Sequence, residues 1–364
     1  MLAGCGGSQP PIGAPGAMPQ SRNIVSNHTI AGGSVEAATS SYHVLYSFGG
    51  PPDGGFPEAG LIDVNGTLYG TTQLGGTYAY TCEDTSYYEV GCGTVFSITT
   101  SGSEKLLHSF GNGTDGAYPF AGLINIDGTL YGTTTGGGGA DCYSGYSCGT
   151  AFSITAAGSE KVLHSFDGSD GANPSAGLLD VNNRLYGTTF EGGTSSGCHA
   201  SGYNGCGTVF SITVNGKGHL LYSFGGGTNG RYPSADMIEV SGRLYGTTYK
   251  GGLSGEGIVF SITTGGEERA LHSFGSGTDG ADPEAALIDV GGTLYGTTSE
   301  GGAYGLGTVF GITTAGMEKT LHSFGSGTDG SYPAAGLIDA KGTLYGTTSH
   351  GGANGKGSGF ALTP

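Results

Sequence analysis

The stretch LIDVNGTLYGTT, Leu61–Thr72, decides the fold. It returns as LINIDGTLYGTT, LLDVNNRLYGTT, MIEVSGRLYGTT, LIDVGGTLYGTT and LIDAKGTLYGTT, with its tyrosine at Tyr69, Tyr131, Tyr186, Tyr245, Tyr295 and Tyr345. Two other phrases recur between the copies. GTVFSITT at Gly93–Thr100 has relatives around Phe152, Phe210, Phe260, Phe310 and Phe360. LHSF ends at Phe110, Phe166, Phe274 and Phe324, and its variant LYSF ends at Phe48 and Phe224. A period of about 50 residues suits propeller blades better than helical hairpin repeats.

Each phrase is a short run of β-branched, aromatic and leucine residues bounded by Gly, Asn or Asp, the pattern of a strand. Asn65-Gly66 stands inside the opening stretch and favours a two-residue hairpin turn through positive φ. No segment carries helical apolar spacing over ten residues or more. The sequence therefore predicts an all-β fold with four antiparallel strands per repeat, and six repeats arranged as a six-bladed β-propeller. The ends are reciprocal. Ser41–Phe48, SYHVLYSF, reads as a fourth strand without three predecessors, and the last repeat has three strands and no fourth. An N-terminal strand completing the last blade would close the ring, which sets the domains as a tether at 1–40 and the propeller at 41–364.

The repeat DGxxPxAGLIxxxGxLYGTTxxGGxxxxGTVFxIxxxGxxxxLHSF resembles the Gloeo/Verruco (GloVer) tandem repeat of bacterial surface and secreted proteins. The resemblance covers residues 41–364. It implies extracellular display with variable anchors, and it carries no established activity and no catalytic residues to transfer.

Composition narrows the partners. The chain of 364 residues has 12 basic against 29 acidic residues, a net charge of −17. Phosphate backbones need clustered Lys and Arg, which are missing, so nucleic acid is excluded as a partner. An anionic membrane surface would not attract the folded body. No apolar run of about 20 residues is present to span a bilayer.

Seven cysteines leave one over. Cys82 with Cys92, Cys142 with Cys148 and Cys198 with Cys206 each fall within one loop at the same place in three successive repeats. Their spacing lacks the close ligand pairs of structural zinc, so they read as disulfides formed in an oxidising compartment. Cys5 is the remainder. Leu2-Ala3-Gly4-Cys5 resembles the lipobox of bacterial lipoproteins, in which the cysteine is lipidated. The following Gly, Pro, Ser and Ala-rich stretch to about residue 40 reads as a flexible tether. The expected location is extracytoplasmic, as a cell-surface lipoprotein or a secreted protein.

The loops that follow LYGTT and those that join repeat to repeat should emerge on one face, where binding residues of a rigid scaffold usually lie. Tyr78, Tyr80, Tyr87, Tyr88, Tyr143, Tyr146 and Tyr203 decorate the disulfide loops and are candidate contacts for a protein or glycan. Asp53, Asp115, Asp170, Asp279 and Asp329, with Asn229 at the same place in the fourth repeat, could hold Ca²⁺ as a ring of carboxylates. The plainer reading is that Asx-Gly pairs form turns and cap their own backbone. His108, His164, His272 and His322 share their slot with Tyr46 and Tyr222, so packing and a side-chain hydrogen bond explain them better than a proton relay. No Ser-His-Asp order, HExxH, phosphate loop or paired-carboxylate motif stands out, which favours a binding module without catalysis. A hydrolase or lyase at the channel mouth is the rival reading, and a self-associating structural component of the cell surface is the third.

Overall fold

The computed structural model of the chain describes residues 42–364 except 79–81, 83–90, 140, 144–145, 201–202, 276–277 and 327. The chain divides into two units, Met1–His43 and Val44–Pro364. The tether expected at 1–40, with Cys5, lies outside the described residues.

The expected hairpin forms in every repeat. In the first, Ile62–Val64 and Thr67–Thr72 pair around Asn65 (φ 53°) and Gly66 (φ 81°), and the Asp63 carboxylate accepts the Gly66 amide at 2.8 Å. Two successive positive φ values match the right-handed twist of the flanking strands. Thr94–Thr99 then pairs with the second strand and Glu104–Ser109 with the third. The order repeats, so that five four-stranded antiparallel sheets and one three-stranded sheet follow one another along the chain. The core lies between neighbouring sheets, as where Tyr69, Val95 and Phe110 of the first meet Leu123, Leu130 and Phe152 of the second. The fold is all-β and propeller-like.

The last four letters of LYGTT each have a separate task. The tyrosine packs between sheets, and Tyr69, Tyr131, Tyr186 and Tyr245 are all buried. The glycine makes room for a ring. A Cβ on Gly246 would lie 2.8 Å from Phe260 Cζ, because the phenylalanine of the third strand lies over its cross-strand partner. That ring in turn meets the LYSF phenylalanine of the sheet before, as Phe224 meets Phe260 edge to face at 5.2 Å between centroids. The same contact joins Phe110 to Phe152, Phe166 to Phe210, Phe274 to Phe310 and Phe324 to Phe360. The first threonine reaches the next sheet, Thr71 Oγ1 donating to Ala121 O at 3.3 Å. The second bonds within its own sheet, as Thr72 to Thr94 at 2.8 Å.

The ends depart from expectation. Val44–Phe48 takes no place in a ladder, and the last sheet keeps three strands, Ile338–Ala340, Thr343–Thr348 and Ser358–Leu362. The closing strand is therefore not formed in this structure. Instead Phe48 packs on Phe96 at 4.8 Å, and the Leu45 carbonyl lies against Gly102 as Leu107 lies against Gly158. The segment holds the position that a fourth strand takes against the following sheet, and its contacts are spent there. The faces at the two ends stay unpacked. Leu61 is 51% exposed where its equivalents Leu123, Leu178, Met237, Leu287 and Leu337 are buried, and Tyr345 and Ile338 are 41% and 66% exposed.

The glycine of LYGTT gives a direct check of the packing. Gly246→Ala should lower stability by about 1–3 kcal/mol in denaturant titration, since a methyl group has nowhere to go beneath Phe260. A neutral effect would show that the ring is not held over the strand.

Candidate functional site

Two loops meet at one end of each sheet. The loop entering a sheet pairs with the residues that follow LYGTT, giving Gly55 opposite Leu74, Ala117 opposite Gly136, Ala172 opposite Glu191, Arg231 opposite Lys250, Ala281 opposite Glu300 and Ser331 opposite His350. The next residue of the entering loop has positive φ in all six repeats: Phe56, Tyr118, Asn173, Tyr232, Asp282 and Tyr332. Bulky residues rarely adopt that region without compensation. Here the backbone is clamped on both sides. The Tyr232 amide donates to Cys206 O at 2.8 Å, and the Tyr232 carbonyl accepts from Tyr249 N at 3.0 Å.

Just beyond, the Pro-x-Ala segments of successive sheets line an open cavity of about 490 Å³. Phe120, Ser175, Ser234, Glu284 and Ala334 stand at equivalent backbone positions around it, joined by Phe190 and Tyr249. A second cavity of about 430 Å³ shares Phe120, Ser175, Ser234 and Glu284 and is lined further by Leu61 and Asp236. The scaffold is repetitive at this place, yet the side chains are not. Phe190 stacks on Tyr232 at 5.1 Å with 22° between planes. Lys250 Nζ bonds Asp282 at 2.8 Å and Glu256 at 3.0 Å and lies 5.0 Å from the Tyr249 ring centroid. Arg231 Nε and Ser234 Oγ are buried with no hydrogen-bond partner among the described residues.

A family model for the Gloeobacter/Verrucomicrobia repeat matches residues 29–200 and 195–364. The chain belongs to that family. No curated protein matches it. Among solved structures it is similar to a gluconolactonase from Xanthomonas campestris, at 15% identity and a TM-score of 0.40 over 74% of this chain and 79% of that one. It is similar also to a luciferin-regenerating enzyme, at 12% identity and 0.44 over 82% and 88%. An auxiliary nutrient binding protein from Bacteroides thetaiotaomicron matches at 8% identity and 0.42, over 80% and 66%.

In this member of the family the three expected disulfides are present, Cys82–Cys92, Cys142–Cys148 and Cys198–Cys206, with Cα atoms 5.3, 5.5 and 5.2 Å apart. They indicate an oxidising, extracytoplasmic setting. Among the described residues no helix is long and apolar enough to cross a membrane. Of the expected aromatic contacts, Tyr78 is half-buried at the start of its loop. Tyr80, Tyr87 and Tyr88 lie outside the described residues, as do the side chains of Tyr143, Tyr146 and Tyr203, whose backbones fall in short strands.

The aspartates are engaged one by one. Asp53 accepts from the Tyr46 hydroxyl, and Asp115, Asp170, Asp279 and Asp329 pair with His108, His164, His272 and His322 at 3.0, 2.6, 2.8 and 2.7 Å. Asn229 bonds Tyr222 in the same way, donating to its hydroxyl at 2.8 Å. Tyrosine and histidine are thus alternative partners for one loop residue, which accounts for the shared slot. Most of these carboxylates also accept a loop amide, as Asp115 does from Gly111 at 3.0 Å, so the turn-capping reading describes their geometry.

The mouth residues Phe120, Phe190, Tyr249, Lys250 and Glu284 were not singled out by motif. Their signal lay in aligning the six repeats and reading the columns that vary. Burial works against the Lys250 charge, but Asp282 and Glu256 outweigh it and hold its pKa above the ordinary lysine value. Burial raises Glu284, and the Asp282 charge adds to it. Glu191 is buried, and desolvation alone pushes it up to about 7.

That shift sets a pH dependence. Between the unfolded carboxyl value near 4.3 and about 7, the unfolded chain ionises Glu191 while the folded one keeps its proton, so stability falls as pH rises. Glu191→Gln should raise the thermal midpoint at pH 8 and leave it nearly unchanged at pH 4. Equal effects at both pH values would contradict the assignment.

Proposed function

We propose that the chain is an extracytoplasmic six-bladed propeller, tethered through a lipid on Cys5, that binds a glycan in the axial cavity on its disulfide-bearing face. The observation that carries the binding role is the departure from repeat symmetry at one cavity. Six copies of a scaffold have no packing reason to place Phe120, Phe190, Tyr249 and Glu284 at variable positions around a common space. The volume suits a small ligand or the end of a chain, whereas a protein partner would cover about 800 Å² of surface. Aromatic faces stack on sugar rings, and Ser175, Ser234 and Glu284 offer hydroxyl and carboxylate partners for sugar hydroxyls. A hydrolase or lyase is the second reading, favoured by Glu284 and Asp282, two carboxyls that burial raises beside Lys250.

Ring closure rests on matching exposure at the two ends. Leu61 of the first repeat and Ile338 and Tyr345 of the last are exposed at positions that the interior repeats bury or half-bury, and Phe48 packs on Phe96. Closure would need Val44–Phe48 to add its ladder to Ser358–Leu362.

Two measurements test these readings. On an array of polysaccharides, Phe190→Ala and Tyr249→Ala should each weaken binding at least tenfold, about 1.4 kcal/mol, while Tyr304→Ala, on an exposed loop, should not. Binding indifferent to both substitutions, or absent throughout, would refute the glycan site, and turnover of a bound polysaccharide would favour the enzyme. Separately, Leu61→Asp should destabilise the chain by well over 1 kcal/mol if the seam is closed in solution. An exposed site tolerates such a change within about 0.5 kcal/mol, and that outcome would rule closure out.

A further inference from the structure

The His–Asp pairs acquire a third member from the neighbouring sheet. The fourth strand opens with a glutamate in the first, second, fourth and fifth sheets: Glu104, Glu160, Glu268 and Glu318. Glu104 faces Asp53 beside Tyr46 in the N-terminal segment, and the others face the preceding sheet's fourth strand and the loop after it, so Glu160 faces His108 and Asp115, and Glu268 faces Tyr222. The third sheet has Gly218 instead. There a cavity of about 80 Å³ opens beside His164 and Asp170, at the place where the other four sheets carry the glutamate.

At the seam between the fourth and fifth sheets the three groups converge. His272 comes from Glu268–Ser273, Asp279 from the connecting loop and Glu318 from Glu318–Ser323. One ligand atom from each lies within 4.8 Å of the other two, and all three residues are partly buried. Among the described residues this is the one such convergence of His, Cys, Asp and Glu. Asp279 keeps its orientation through the Gly280 amide, which donates to its other oxygen at 2.8 Å.

We propose that His272, Asp279 and Glu318 form a site for a divalent transition metal of the zinc class, bound across the seam. One imidazole nitrogen and two carboxylate oxygens are a ligand set that zinc accepts, with a fourth position left to water. Calcium and magnesium prefer more ligands, all of them oxygen. Because the donors belong to two sheets and the loop between them, the ion would fasten adjacent repeats together. The site is independent of the axial cavity and of what binds there.

The chain supplies its own test variants. Glu318→Gly copies Gly218, and His272→Tyr copies Tyr222, so both residues are already accommodated at equivalent places in this fold. Metal-free full-length protein would be titrated calorimetrically with zinc chloride and, separately, calcium chloride, and melted with and without zinc. The expected result is one zinc equivalent and a midpoint raised by about 5 °C at a hundredfold excess over Kd. Both variants should bind at least tenfold more weakly, and His108→Tyr should bind as the parent does. Absence of zinc binding, unchanged binding in both variants, loss of binding in His108→Tyr, or binding of calcium without zinc would each overturn the proposal.

Discussion

The structure depends on a phenylalanine ring laid across a glycine in the middle of a strand. Glycine weakens a strand by itself, since it adds chain entropy and offers nothing to pack. In this fold the missing side chain is the point. Phe152 fills the hollow over Gly132, closes against Leu123 and presents its edge to Phe110 of the preceding sheet. One ring thereby joins a cross-strand contact to a sheet-to-sheet contact. Backbone register, sheet spacing and core are set by the same atoms, which is why the phrase tolerates so little change from copy to copy.

Much of this was legible in the sequence because it is local and repeated. Asn65-Gly66 forms its hairpin from its own conformational preference, and the positive φ persists where Ser241 or Lys341 replaces the asparagine. The pairing of Cys198 with Cys206 and the exchange of His108 for Tyr46 could be inferred from position alone. The ends were harder. SYHVLYSF reads as a strand, but whether its backbone finds a second partner depends on contacts more than 300 residues away, and local pattern contains no record of them. In the structure its contacts with the first sheet are made and the ladder to the last is not.

The cavity mouth was illegible for a different reason. Phe120, Ser175, Ser234 and Glu284 each follow a proline in a segment without regular structure, and none belongs to a recognisable motif. They become neighbours only because their sheets are arranged about a common space. The tyrosines that drew attention in the sequence belong to the inserts between the repeated phrases, where composition is conspicuous but spacing is not dictated by the repeat. A repetitive chain hides its individual residues in plain columns, and only superposition of the repeats separates scaffold from variation.

The clamp on the entering loop has an evolutionary side. The carbonyl that receives the next repeat's amide belongs to Cys92, Cys148 and Cys206 in three repeats, and to Glu256 and Leu306 in two others. The bond is made by backbone, so the residue type at that post can vary, and so can the length of chain leading up to it. Seventeen residues separate Gly75 from Gly93 in the first repeat, and five separate Gly301 from Gly307 in the fifth, without disturbing the joint. Such a post works as a socket. Loops can be exchanged there like cassettes, and new surface chemistry can be tried on one repeat while the other five hold their shape.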